Sequence, residues 1–454
     1  MTLQNSNMLD LELLSDAIAK VNLAAVIDSS GRGGNLFFLT LFDQHPDVAC
    51  CPLVQYSYSY VLAEFGDDVN IDASKAHAFL CARSYFRLLY NEPSGSNAIL
   101  FERMGGVPSA ALDRERLRRL IDAYFADRVT ITRRELIVVP LVAYAMVRGV
   151  SPERLRYVLI GDAISRRSES VSDGFSGAII DRIVDDFPEA RIFRLVRDPR
   201  ATFASPRHQF VNSLGNMYAI RPGNYLSRLM TLVGGVLTPD NGCVYLYWLL
   251  YLRQAENAVL RKEKQYPERF KVVKNEDLNL NFVEAMRMIG AWLEIQPLRA
   301  WDSPEFVPTV IGVPWEGAGA YNSRYQRATS GLLPNDPEEV SKKVTGPNEY
   351  VTRRWRARLN RREIGLIEYL FARELRVYGY EFITNNNDRP AIAAILSNLW
   401  GPFEGELPTI VWLRRGFSES IGEGLTRVFY AIFFPPFYVI SRLKFIQYRI
   451  QGLI

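Results

Sequence analysis

Apolar positions fall into two rhythms along the chain. Short apolar-rich runs, Leu23–Ile27, Arg156–Asp162 and Ile192–Val196, each end in a polar turn. Runs of this length without strict alternation suit strands covered on both faces of a parallel sheet. Longer stretches follow a helical period: residues 8–20, Ala110–Ala126, Tyr245–Glu263 and Asn348–Tyr378. Strands separated by helical patterns predict an α/β fold on a central parallel sheet, with helical insertions. Tyr56, Tyr58 and Tyr60 alternate as on a strand or an extended lining. Asn385–Pro390, with its three asparagines, marks a linker. The expected organisation is one domain over 1–384 and a C-terminal extension over 385–454.

Composition narrows the function classes. The chain has 454 residues, is 48% hydrophobic and carries a formal net charge of +4. That charge is small for the length and does not argue for nucleic acid. Three histidines and four cysteines are too few for a His/Cys-rich metal centre. Cys50, Cys51, Cys81 and Cys243 lack zinc spacing and read as reduced thiols. The first twenty residues show neither a basic n-region nor an apolar h-region, so a cytoplasmic location is expected.

Two polar turns carry candidate chemistry. The first is Ser29-Ser30-Gly31-Arg32-Gly33-Gly34-Asn35, between Leu23–Ile27 and Leu36–Phe42. Glycine-rich backbone approaches an anion closely, and a following helix would aim its N–H groups at the turn. Arg32 adds a forked cation suited to phosphate or sulfate oxygens. The second turn is Arg197-Asp198-Pro199-Arg200 at the end of Ile192–Val196, with Ser205 eight residues after Arg197. Pro199 would open the next helix. The first turn lacks the Gly-Lys-[Ser/Thr] of a Walker loop, and a GxGxxG fingerprint is absent.

In this order, SSGRGGNLFF and FPEARIFRLVRDPRATFAS resemble the two nucleotide motifs of sulfotransferases that use 3′-phosphoadenosine 5′-phosphosulfate. Leu41–Val48 is similar to that family's helix ending in Asp-x-His-Pro, and Lys271–Leu278 to its late strand and acidic turn. Val310–Gly317 is similar to the stretch before a loop that closes on the nucleotide, which here would carry Tyr321 and Arg324. The resemblance implies a P-loop-like fold and a metal-free transfer. It implies that Ser30, Gly31, Arg32, Gly33, Gly34 and Asn35 hold the 5′-phosphosulfate. It implies that Arg197 and Ser205 hold the 3′-phosphate. Residues 50–150 would then form a helical lid that governs acceptor choice.

The catalytic groups expected on this resemblance are Arg32 and a base. A large branch of the family has a glutamate soon after His-Pro, but Ala49–Val54 carries no carboxylate. Asp162, at the end of Arg156–Asp162, is the alternative, and His45 a weaker one. The acceptor would be a hydroxyl or amine of a glycan or lipid. Competing readings are a nucleotide-binding scaffold without a base and a P-loop kinase.

The extension carries Val428–Ile440, thirteen residues without charge and interrupted by Pro435-Pro436. At about 1.5 Å per residue this is too short to span a hydrocarbon core of roughly 30 Å. From Gly424 onward Arg427, Arg442, Lys444 and Arg449 occur without acids. Apolar, aromatic and basic residues together suit an interfacial membrane anchor over 424–454. Packing on the domain, or on a second copy in a homodimer, is the alternative.

Overall fold

Five strands form one wholly parallel sheet in the computed structural model, which describes residues 3–29, 33–92, 112–164, 177–212, 245–303, 305–315, 346–384, 399–404 and 406–452. Two strands come early, β1 (Asn22–Asp28) and β2 (Val48–Gln55). A short antiparallel ribbon follows, β3 (Asn70–Asp72) with β4 (Thr130–Thr132). The remaining sheet strands are β5 (Tyr157–Ala163), β6 (Arg191–Val196) and β7 (Phe270–Lys274). The sheet order is β2-β5-β1-β6-β7.

The central strand β1 is buried over six of its seven residues, as its uncharged run requires. It pairs with β5 on one side and β6 on the other, so Ile27 lies level with both Asp162 and Arg194. The chain passes from β5 to β6 across β1, which makes the carboxyl ends of β1 and β6 a place where parallel sheets open a crevice.

Residues 50–150, expected as a lid, instead supply the edge strand β2 and core helices. The helix Arg133–Val147 is buried along nearly its whole length and starts in a Thr132/Glu135 capping box. Tyr56, Tyr58 and Tyr60 do not lie on an extended segment. The chain turns at Tyr56, whose φ is +58°, and continues as the helix Ser57–Phe65.

The long pattern Asn348–Tyr378 is divided into four helices, Glu349–Arg353, Trp355–Arg358, Arg361–Leu370 and Ala372–Val377. Its main break follows from local chemistry. Leu359 is extended, and the Asn360 side chain caps the next helix in a reciprocal box with Glu363.

A second hydrophobic core lies apart from the sheet. Phe203, Leu246, Leu249, Trp355 and Ile367 meet Phe434 and Phe445 of the tail there. The tail forms one helix, Ile421–Ile450, which runs through Pro435-Pro436 instead of stopping at them. Both prolines face outward, where the carbonyls they leave unpaired meet water. Arg442 pairs with Glu406, both fully buried and 3.0 Å apart, and Glu406 accepts from the Tyr245 N–H at 3.2 Å, which ties this helix to the domain. Among the described residues no helix is long and apolar enough to cross a membrane.

Candidate functional site: a cleft between two turns

The glycine turn is fastened at both visible ends. The Gly33 N–H donates to Asp28 Oδ2 at 2.7 Å. Gly34 has φ +116°, and a Cβ there would stand 2.2 Å from Asn275 Nδ2. Both conditions demand glycine. Asn35 opens the helix Asn35–Thr40 and donates from Nδ2 to the Asp162 carbonyl at 2.8 Å. Its Oδ1 is buried without a partner among the described residues.

The second turn is fastened differently. Pro199 begins the helix Pro199–Asn212, as expected. The Asp198 N–H donates to Glu276 Oε1 at 3.0 Å, and the Tyr380 hydroxyl donates to Glu276 Oε2 at 2.6 Å. Glu276 lies in the first turn of the helix Asn275–Leu280, which follows β7 directly where the sequence suggested an acidic turn. The two arginines of this turn have separate surroundings. Arg200 is locked between Asp198 and Glu368 and lies over the Trp355 ring, 4.3 Å from its centroid. Arg197 is almost wholly buried, with Nη2 donating to the Val351 carbonyl at 3.3 Å. Burial, reinforced by the nearby Arg354 charge, lowers its guanidinium pKa to about 10, with Glu276 and Asp198 opposing. It therefore stays cationic near neutrality, poorly hydrated and receptive to an anion.

The two turns share one cleft open to solvent. Asp28, Ser29 and Gly33 form one side, and Val196, Arg197 and Thr202 another. A third wall comes from Glu256, Phe371, Glu374 and Tyr378. Glu374 Oε1 accepts from Arg253 at 2.5 Å, while its Oε2 is buried without a partner among the described residues. This wall offers a hydrogen-bond acceptor between two aromatic rings.

Gly33 and Arg197 thus line one cleft, with Gly34 and Asn35 bracing the turn behind it. Ser205 lies on the Pro199–Asn212 helix, half-buried, and is not among the lining residues; Thr202, one turn earlier, is. Ser30, Gly31, Arg32, Tyr321 and Arg324 lie outside the described residues.

Asp162 ends β5 but does not line the cleft. Its wholly buried carboxylate accepts from Ser59 N at 3.1 Å, Ser59 Oγ at 2.5 Å and Ala163 N at 2.9 Å. Ser59 stands in the first turn of the helix Ser57–Phe65, so Asp162 caps that helix from across the sheet. Burial raises its carboxyl pKa to about 6, against the pull of these donors.

His45 is spoken for. Its ring accepts from the Asp47 N–H at 3.1 Å and meets the Gln296 carbonyl at 3.0 Å, and burial lowers its pKa to about 4. It is a neutral structural histidine. Asp28, Thr202 and Glu374 are cleft residues that the motifs did not single out. Only Asp28 had a local signal, a short carboxylate directly before a glycine turn.

Among the solved structures similar to this chain are three sulfotransferases. The sulfotransferase domain from the curacin biosynthetic pathway has TM-score 0.42 and 14% identity, covering 80% of this chain and 100% of that one. The sulfotransferase domain of the Synechococcus PCC 7002 olefin synthase has TM-score 0.34 and 17% identity, covering 74% and 88%. Sulfotransferase STF9 from Mycobacterium avium has TM-score 0.33 and 12% identity, covering 83% and 82%. No family model and no curated sequence matches the chain.

Proposed function

We propose that this protein is a sulfotransferase that takes 3′-phosphoadenosine 5′-phosphosulfate in the cleft between β1 and β6. The observation that carries the reading is the convergence of two distant turns, one glycine-rich and one holding Arg197, on a single cleft. Gly33 and its neighbours Ser30, Gly31 and Arg32 would hold the 5′-phosphosulfate, and Arg197 with a hydroxyl of its helix the 3′-phosphate. Tyr321 and Arg324 belong to the same proposal as groups that close over the nucleotide. Glu374 Oε2, on the wall that Phe371 and Tyr378 share, would accept from a base or ribose donor.

In the reaction, the bond from sulfur to the bridging phosphate oxygen breaks. A bond from sulfur to the acceptor oxygen or nitrogen forms, and 3′-phosphoadenosine 5′-phosphate leaves. Arg32 stabilises the charge that grows on the departing phosphate oxygen. Asp162 takes the acceptor's proton, its affinity raised toward the range a general base needs. That role requires Ser59 to release one carboxylate oxygen. The acceptor is a hydroxyl or amine of a glycan or lipid.

The closed environment of Asp162 favours one second reading, a protein that binds the nucleotide without transferring sulfate. Labelled sulfate supplied as the activated nucleotide, with purified protein and separate glycan and lipid extracts, tests both. Label in either extract supports transfer. Nucleotide binding without label supports the second reading, and neither binding nor label overturns both.

A further inference from the structure

The helices Ile410–Glu419 and Ile421–Ile450 pack together as a hairpin. Its inner face is accounted for: Phe434 and Phe445 enter the second core, and Arg442 pairs with Glu406. The outer face is different. Ile421, Leu425, Ile432, Val439, Leu443 and Ile450 are all exposed, from 43% to 80%.

These six positions are separated by 4, 7, 7, 4 and 7 residues. At about 100° per residue they fall within an arc of roughly 40°, along a helix of about 45 Å. Ile410 and Phe417, a heptad apart on the shorter helix, are exposed as well. Single exposed aliphatic residues need no explanation, but a continuous row marks an interaction surface.

Charge identifies the occupant. Residues 410–450 hold Arg414, Arg415, Arg427, Arg442, Lys444 and Arg449 against Glu419 and Glu423, so 6 − 2 = +4. That equals the net charge of the whole chain, +4, so the remaining residues balance to zero. Arg427 and Arg442 are buried, whereas Arg414 and Arg449 are exposed and Lys444 is half-buried. By the helical angle Lys444 lies beside the aliphatic row, whereas Arg449 lies toward the domain, its guanidinium 5.8 Å from the Tyr369 ring centroid. No acid follows Glu423. A second copy laid along the row would bring like charges together, and the exposed Pro435-Pro436 would interrupt helix-on-helix packing there. An anionic surface meets the same charges favourably.

We propose that the hairpin 410–450 lies flat on an anionic lipid surface. The aliphatic row enters the interfacial layer, and Lys444 and the exposed Arg414 reach headgroup phosphates. This inference stands independently of the nucleotide reading.

Flotation of the full-length protein tests it, with vesicles of mixed phosphatidylcholine and phosphatidylserine against phosphatidylcholine alone. Ile432→Glu/Leu443→Glu changes only exposed side chains, and unchanged circular dichroism confirms that it folds. The wild type should float with the anionic vesicles and lose binding as salt rises, and the double variant should bind about tenfold more weakly or worse. Absence of flotation at low salt overturns the proposal, as does undiminished flotation of the variant. A concentration-dependent dimer that the same variant abolishes would also overturn it, by assigning the row to a second copy.

Discussion

Replacing Asp162 by asparagine should change stability in a pH-dependent way. In the folded protein burial raises the carboxyl pKa from 3.8 to about 6. The folded state therefore holds the proton more tightly than the unfolded chain. Its stability is greatest at low pH and falls as pH rises through about 4 to 6. A shift of about two units corresponds to about 3 kcal/mol, of which roughly 2 kcal/mol develops between pH 4.5 and 7.

A neutral asparagine side chain would escape that penalty. It would also place an amide NH₂ against one of the three donors on the present carboxylate, at a cost of about 1–3 kcal/mol. The two effects nearly cancel at pH 7. At pH 4.5 only about 1 kcal/mol of that penalty applies, so less of the cost is offset. Asp162→Asn should be near wild type at pH 7 and less stable by about 2 kcal/mol at pH 4.5. Amide exchange of the helix Ser57–Phe65, which this carboxylate caps, reads the difference locally. An equal effect at both pH values refutes the burial argument. In the transfer assay the same variant should lose about 10²–10⁴ in rate if Asp162 is the base. A rate within about threefold of wild type would leave Asp162 with the capping task alone.

Gly34→Ala meets both a left-handed backbone and the Asn275 amide, so a cost of about 3 kcal/mol or more should distort the turn. Nucleotide affinity should then fall by about 10²-fold, and calorimetry showing unchanged affinity would contradict the turn's role. His45 has its pKa lowered to about 4, so its neutral form stabilises the fold above about pH 6.5, and that stability drains away as pH falls toward 4. His45→Gln should flatten this acid limb in urea unfolding; an unchanged limb would acquit His45. Thr202 lines the cleft and Ser205 does not. Thr202→Val should weaken 3′-phosphoadenosine 5′-phosphate by about fivefold, roughly 1 kcal/mol, and Ser205→Ala by less. The reverse ranking would restore Ser205 as the phosphate ligand.

The parts of the site that could be read in the sequence are those set by local chemistry. Strands β1, β5 and β6 follow from short apolar runs, and the turns after β1 and β6 from Gly33-Gly34 and Pro199. The break at Leu359-Asn360 also had a local signal, the Asn360/Glu363 box, but helical periodicity across it obscured the cap. Tyr56–Tyr60 misled because residues alternating in type also fit a helix once a cap is supplied from elsewhere. That cap is the carboxylate of Asp162, about a hundred residues away. The third wall of the cleft had no local signal. Glu256, Glu374 and Tyr378 meet only through tertiary contacts, with Arg253 pairing Glu374 and Arg194 of β6 pairing Glu256 and lying over Tyr378. The tail's basic residues likewise divide in a way that spacing alone does not show, because Arg442 is consumed by Glu406.

The central claim is that the cleft recognises a second phosphate through Arg197. Calorimetry of 3′-phosphoadenosine 5′-phosphate and adenosine 5′-phosphate, with wild type and Arg197→Ala, tests it most directly. Loss of a charged hydrogen bond of about 1.5–3 kcal/mol predicts at least tenfold weaker binding of the doubly phosphorylated nucleotide, with little change for the singly phosphorylated one. Equal losses for both nucleotides, or no preference between them in the wild type, would contradict the account.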